Sequence, residues 1–195
     1  RLLRVWEGGL VFHGGLIGGI VATWRYTHKY RISFFFMADV IVPTLALGQF
    51  FGRIGCFAAG CCFGKSSTLP WAQQFPGVLA RKGLLHPTQL YEALGVLVLF
   101  FVLLIVRHRK RFHGQVLVAY MMLYGALRFV IEIFRGDLER GFLFQWDAFP
   151  TIGKAPFQAD LLTWGQTISI FLVVFGFVLM VLAKWNRSSQ KKSAF

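Results

Sequence analysis

An all-α polytopic membrane protein is the fold class this sequence predicts, and three observations predict it. Hydrophobic residues make up 56% of the 195 and charged residues only 15%, against about 25% charged in a soluble domain. The apolar residues gather into long runs instead of short periodic stripes, as a bilayer core of about 30 Å requires. The net charge of +13 sits in short clusters at the ends of those runs, where a membrane protein places it. That distribution speaks against nucleic-acid binding, whose footprint is a basic patch or stripe on one face.

Five runs qualify as spans, taken in chain order. Residues 1–7 carry charge without an apolar core and are not a signal peptide. The first span, 10–24, is short and Gly-rich and leans on neighbouring helices. The second covers 34–51, the third 90–106, the fourth 115–134 and the fifth 161–183. Positive charge orients them. Arg25, Lys29 and Arg31 follow span one; Arg107, Arg109, Lys110 and Arg111 follow span three; Lys184, Arg187, Lys191 and Lys192 follow span five. These three segments share one side, which is therefore the cytoplasm, with the N-terminus outside and the C-terminus inside. The opposite side receives the longer, mixed-charge connections at about 52–89 and 135–160. The reading is a single transmembrane domain over 1–185 with those two outer loop regions. The basic, Ser-rich residues 186–195 form a cytoplasmic tail.

Ionisable residues inside spans are costly and mark functional candidates. His13 lies near the outer end of span one, and Arg53 follows the outer end of span two. His86, Tyr91 and Glu92 mark the outer start of span three, and Arg128, Glu132 and Arg135 the outer half of span four. Four helices thus bring polar groups to one depth. On span four, Tyr124, Arg128, Glu132 and Arg135 fall within about 80° of one another on an α-helix. One Arg–Glu pair that glues helices accounts for part of this stripe. Clustered arginines also suit a phosphate, which a planar, permanently charged guanidinium bonds bidentately.

His13, followed by Gly14 and Gly15 and then Gly18 and Gly19, has two readings. The paired glycines allow close helix packing, and a histidine at an aqueous boundary can act as a general base. Cys56, Cys61 and Cys62 have a spacing that is no standard zinc pattern, with no fourth ligand evident. They read as small packing residues and receive no metal.

Five ordered blocks resemble one family. They are Gly8-Gly9 through His13-Gly14-Gly15 to Gly18; Gly52-Arg53-Ile54-Gly55-Cys56-Phe57 with Gly60 to Gly64; Leu69-Pro70-Trp71-Ala72 with His86-Pro87-Thr88-Gln89-Leu90-Tyr91-Glu92; Tyr124-Gly125 to Arg128, Glu132, Arg135 and Asp137; and Gly165-Gln166 to Ser169. Together they are similar to the prolipoprotein diacylglyceryl transferases. The resemblance implies seven transmembrane helices, so two would precede this chain, and a site facing the outer leaflet of the bacterial inner membrane. It also implies transfer of the diacylglyceryl group of phosphatidylglycerol to the lipobox cysteine of prolipoprotein signal peptides, with glycerol phosphate leaving and no cofactor. Many members carry Asn at the position of Cys56 and an acidic residue at that of Cys61.

On that reading His13 activates the thiol, while Arg53 and Arg128 hold the phosphate. Glu132 orients Arg128, and Tyr124 and Arg135 complete the stripe. Gly14, Gly15, His86, Tyr91 and Glu92 are secondary candidates, the last three shaping and capping the start of span three. The rival reading is a lipid or solute transporter with an anion-binding outer cavity, whose usual internal repeat is not found in the sequence.

Overall fold

A computed structural model describes residues 10–75, 83–135 and 164–192. The described chain is all-helical: α1 (Leu10–Lys29), α2 (Phe34–Ala58), α3 (Thr88–His108), α4 (Gln115–Phe134) and α5 (Trp164–Lys192). Three of them, α2, α3 and α4, are long and apolar enough to cross a membrane. α1 ends in His28 and Lys29, so cations expected in a connection extend the helix instead. α2 likewise runs beyond its expected end and carries Arg53 inside its last turns. Gly52 and Gly55 do not stop it, because nothing before Gly60 supplies the left-handed residue that closes a helix.

α4 lies at the centre, packed on α3, α5 and α2, while α1 contacts α2. Val42 and Ala46 of α2, Leu99 and Leu103 of α3, and Val116 and Tyr120 of α4 form the buried core. On α3 the opposite face is just as apolar: Leu94, Val98, Phe101 and Ile105 recur at helical spacing and are exposed. A helix hydrophobic on both sides needs lipid or more protein around it. Gly125 lets α5 approach α4, since a Cβ there would stand 2.9 Å from the Ser169 carbonyl oxygen and from Val173 Cγ2. Gly14, Gly15, Gly18 and Gly19 behave otherwise. A Cβ at any of them meets nothing within 4 Å, so among the described residues they make no close helix approach.

The basic end of the bundle is organised by a residue far from the outer-end polar groups. Asp39 of α2 is fully buried. Its carboxylate accepts from the backbone N–H groups of Gly114 (2.9 Å), Val116 (3.0 Å) and Leu117 (3.2 Å), with Lys110 Nζ at 3.4 Å. These N–H groups belong to the first turn of α4, which has no cap from its own chain segment. A side chain 75 residues earlier in sequence therefore serves as the N-cap. Gly114, at φ +92°, turns the chain into that position. Ionisable groups are thus not confined to one end of the spans.

Asp39→Ala is predicted to cost about 2–3 kcal/mol, because it strands buried N–H donors at a helix start. Thermal unfolding in detergent should show a clearly lowered midpoint. An unchanged midpoint would remove Asp39 from this role.

Candidate functional site

The opposite end of the bundle gathers the charged residues. About 28 Å of helix separates Phe34 from Arg53 at 1.5 Å per residue. Arg53 Nη2 lies 2.8 Å from Glu92 Oε1. The other oxygen of the same carboxylate stands 4.0 Å from Arg128 Nη1. Arg128 Nη2 is 2.7 Å from Glu132 Oε2, one turn further along α4. Two guanidinium groups and two carboxylates from three helices therefore form one chain of charge, with Glu92 in the middle.

Glu92 is 2% exposed, so it is no surface cap of α3. The sequence ranks it behind Glu132, and the geometry makes it the link between α2 and α4. Tyr124 is hydrogen-bonded to Arg53 and feels the charges of Glu92 and Arg128, and its ring stacks on Tyr120 at 5.4 Å. Tyr120 in turn donates to Gln49 Oε1 at 3.0 Å. Gln49 and Tyr120 escape the sequence reading because neither is ionisable at ordinary pH and both sit in apolar runs. Glu132 is held from its far side as well. A Cβ on Gly165 would come within 2.9 Å of both its carboxylate oxygens, so a larger residue there would push the carboxylate aside. The carboxylate thereby meets the N-terminal turn of α5, the positive end of that helix.

Arg128 Nη1 is buried and has no hydrogen bond among the described residues. A buried arginine nitrogen without a hydrogen bond is a group that an incoming anion can engage. The set is formally neutral, and Nη1 keeps only the 4.0 Å ion pair with Glu92.

His86 and Tyr91 form a second group beside this one. Tyr91 Oη accepts from Trp71 Nε1 at 2.7 Å and lies 3.2 Å from His86 Nδ1, and both rings pack edge-on against Phe134. They tie the loop after α2 to α3 and α4. Gly64 anchors the same loop. Its N–H donates to the His86 carbonyl at 2.8 Å and the N–H of Lys65 to that of Phe134 at 3.0 Å. A Cβ on Gly64 would collide with Phe134 O, Thr88 Cγ2 and His86 Cβ. Arg135 pairs across to Gly64 in an isolated bridge and is buried, so it closes the knot from α4. The side chain of His13 lies outside the described residues; its backbone is in the first turn of α1. Asp137 and the outer region 136–163 also fall outside them.

The cysteines are brought together by the helix stop. Gly60, at φ +67°, lets its own N–H reach Phe57 O and the N–H of Cys61 reach Cys56 O, both at 3.1 Å. This is the Schellman closure, which sets a helix's third-from-last residue against the second one past its cap. Cys62, at φ +64°, follows and offers its carbonyl to Thr88 Oγ1, while Gln89 Nε2 donates to the Cys61 carbonyl. Burial, and then the neighbouring Cys62 and Cys56, push the Cys61 thiol up to about 11, so it is protonated at neutral pH.

The family model described as prolipoprotein diacylglyceryl transferase matches residues 1–182. A phosphatidylglycerol–prolipoprotein diacylglyceryl transferase of Methylococcus capsulatus is 39% identical over 193 residues, covering 96% of this chain and 66% of that protein. The protein of the same name from Glaesserella parasuis is 40% identical over 188 residues, covering 95% and 64%. That from Nitratidesulfovibrio vulgaris is 37% identical over 185 residues, covering 92% and 63%. The chain thus spans just under two thirds of the length of these relatives.

Glu92→Gln should destabilise the bundle by about 3–5 kcal/mol, the usual result of removing one partner from a buried ion pair. Glu92→Asp, which keeps the charge, should recover part of that loss. Equal stability of Glu92→Gln and the natural protein in thermal unfolding would show that Glu92 does not hold the two arginines.

Proposed function

We propose that this chain, which belongs to the prolipoprotein diacylglyceryl transferase family, transfers the diacylglyceryl group of phosphatidylglycerol to the lipobox cysteine thiol of prolipoproteins. The thiol sulfur bonds to the glyceryl carbon that carries the phosphate ester, the C–O bond breaks, and glycerol phosphate leaves with the electron pair. The thiol proton goes to a base, for which His13 is the candidate. The headgroup enters as a phosphodiester monoanion and leaves as a phosphomonoester. Negative charge therefore grows on the phosphate as the bond breaks, and preorganised donors are worth most where charge develops.

The observation that carries this reading is Arg128. Its Nη2 is fixed by Glu132 at 2.7 Å, while Nη1 is buried with no hydrogen bond among the described residues. Arg53, held by the same Glu92 that approaches Arg128, supplies the second cation. Tyr124 packs the pair, and Gly165 and Arg135 support it from α5 and from the end of α4. The reading further takes all five helices as spans of one transmembrane catalytic domain in the bacterial inner membrane, with 186–195 as its cytoplasmic tail. The N-terminus lies outside and the C-terminus in the cytoplasm. Two features support that sidedness: Asp39 and the Lys/Arg-rich segments share one end of the bundle, and the arginine–glutamate chain occupies the other.

Arg128→Ala should lower transfer by at least about 100-fold, the usual cost of losing one preorganised donor to developing charge. The assay supplies phosphatidylglycerol and a lipobox peptide to full-length protein and looks by mass spectrometry for a diacylglyceryl adduct on the peptide cysteine. Arg128→Lys should remain impaired, since a point charge does not replace the fork. Membrane insertion should persist in both. Normal transfer by a correctly inserted Arg128→Ala protein would overturn the assignment.

A further inference from the structure

The transfer reading leaves the three cysteines without a task, although the fold assembles them closely. The sulfur atoms of Cys56, Cys61 and Cys62 all lie within 4.8 Å of one another. All three are free thiols, two half-buried and Cys61 exposed. A tetrahedral zinc-class ion with sulfur ligands at about 2.3 Å has neighbouring sulfurs about 3.8 Å apart. The thiols therefore need to close by about 1 Å at most, a movement that side-chain rotation alone supplies.

The backbone that presents them is fixed at several points. Cys56 is in the last turn of α2, and Cys61 is tied to it through the Cys61 N–H to Cys56 O bond at 3.1 Å. The Cys62 carbonyl accepts from Thr88 at 2.9 Å, and that of Cys61 accepts from buried Gln89. Such a set is preorganised, so a cation binding there orders little extra chain. Charge also favours it. Three thiolates and one divalent ion leave a net charge of −1, and the Arg53 guanidinium interacts with both Cys56 and Cys62. A structural disulfide uses the set less well, because it leaves one thiol over and adjacent cysteines pair poorly.

We infer that Cys56, Cys61 and Cys62 form a three-thiolate site for one thiophilic divalent cation of the zinc class. The site stands beside the arginine–glutamate chain, and its fourth position is left to an exogenous ligand. Sequence spacing alone assigns no metal here, because the pattern lacks a fourth protein ligand. An open position is nevertheless what distinguishes a reactive zinc site from a structural one. The ligand class that suits a soft ion is a thiol, which the ion deprotonates on binding. On the transfer reading, the acceptor cysteine is such a thiol, arriving next to the phosphate-binding Arg53; this consequence rests on that reading, whereas the metal site does not.

The test is cobalt(II) titration of the full-length protein, purified in detergent under reducing conditions, with no lipid or peptide present. The expected result is an intense near-ultraviolet sulfur-to-cobalt band with tetrahedral visible bands, saturating at one ion per chain and bleached by added zinc. C61S, at an exposed position that folding tolerates, should lose most of the band, as should C56S and C62S. Absence of the band, its survival in all three variants, or a disulfide among these cysteines in freshly isolated protein would each overturn the site. Metal binding is read apart from transfer, so a failed titration leaves the transferase reading standing. Loss of transfer in protein that still binds cobalt likewise leaves the site standing.

Discussion

Burying a carboxylate in an apolar helical bundle costs several kcal/mol unless opposite charge meets it. Glu92 lies in such a place, with Arg53 of α2 on one oxygen and Arg128 of α4 facing the other. That arrangement sets the spacing of three helices at one end of the protein. It keeps Arg128 in a position where Glu132 takes one nitrogen while the second, 4.0 Å from Glu92, has no hydrogen bond among the described residues. Glycines then supply the room: Gly165 admits the Glu132 carboxylate, Gly125 admits α5 against α4, and Gly64 admits the loop against the start of α3. The polar cluster and the close packing around it are one construction.

The two ends of the bundle solve the same problem with different chemistry. At the basic end, Asp39 is satisfied mainly by backbone N–H groups of α4, and the ion pair to Lys110 at 3.4 Å is secondary. Its charge is fully engaged by the fold, so it is a structural carboxylate. At the other end the acceptors are carboxylates and the donors are arginines, and Arg128 Nη1 has no hydrogen bond among the described residues. A group whose hydrogen bonds are complete has little to offer a ligand, and in this Asp39 and Arg128 differ.

Much of the helical fold is legible in the sequence, because apolar run length decides whether a segment can span lipid. The start of α4 and the interior of α3 follow from that rule directly. Helix ends are less legible, since charge does not stop a helix: α1 continues through Arg25 to Lys29, and α2 continues past Arg53 until Gly60 closes it. The arginine pair was visible through the cost of charge inside spans. Glu92 was visible too, but its central place was not, because linear order cannot say which carboxylate lies between two helices. Asp39, the sole acid in span two, is reached by the same rule once both ends of the spans are searched. Tyr120, Gln49 and the Schellman contact that gathers the cysteines depend on tertiary geometry or on one left-handed glycine, and no periodic pattern announces them.

Whether Arg53 and Arg128 act on one phosphate is the central claim, and a double-mutant cycle on transfer tests it most directly. The measurement is kcat/KM for phosphatidylglycerol with full-length natural protein, Arg53→Lys, Arg128→Lys and the double variant. Groups that stabilise one developing charge are strongly coupled, so the double variant should lose little more than the worse single one. Losses that multiply, with the double variant as slow as the product of the two singles, would show that the arginines act independently and contradict a shared phosphate site.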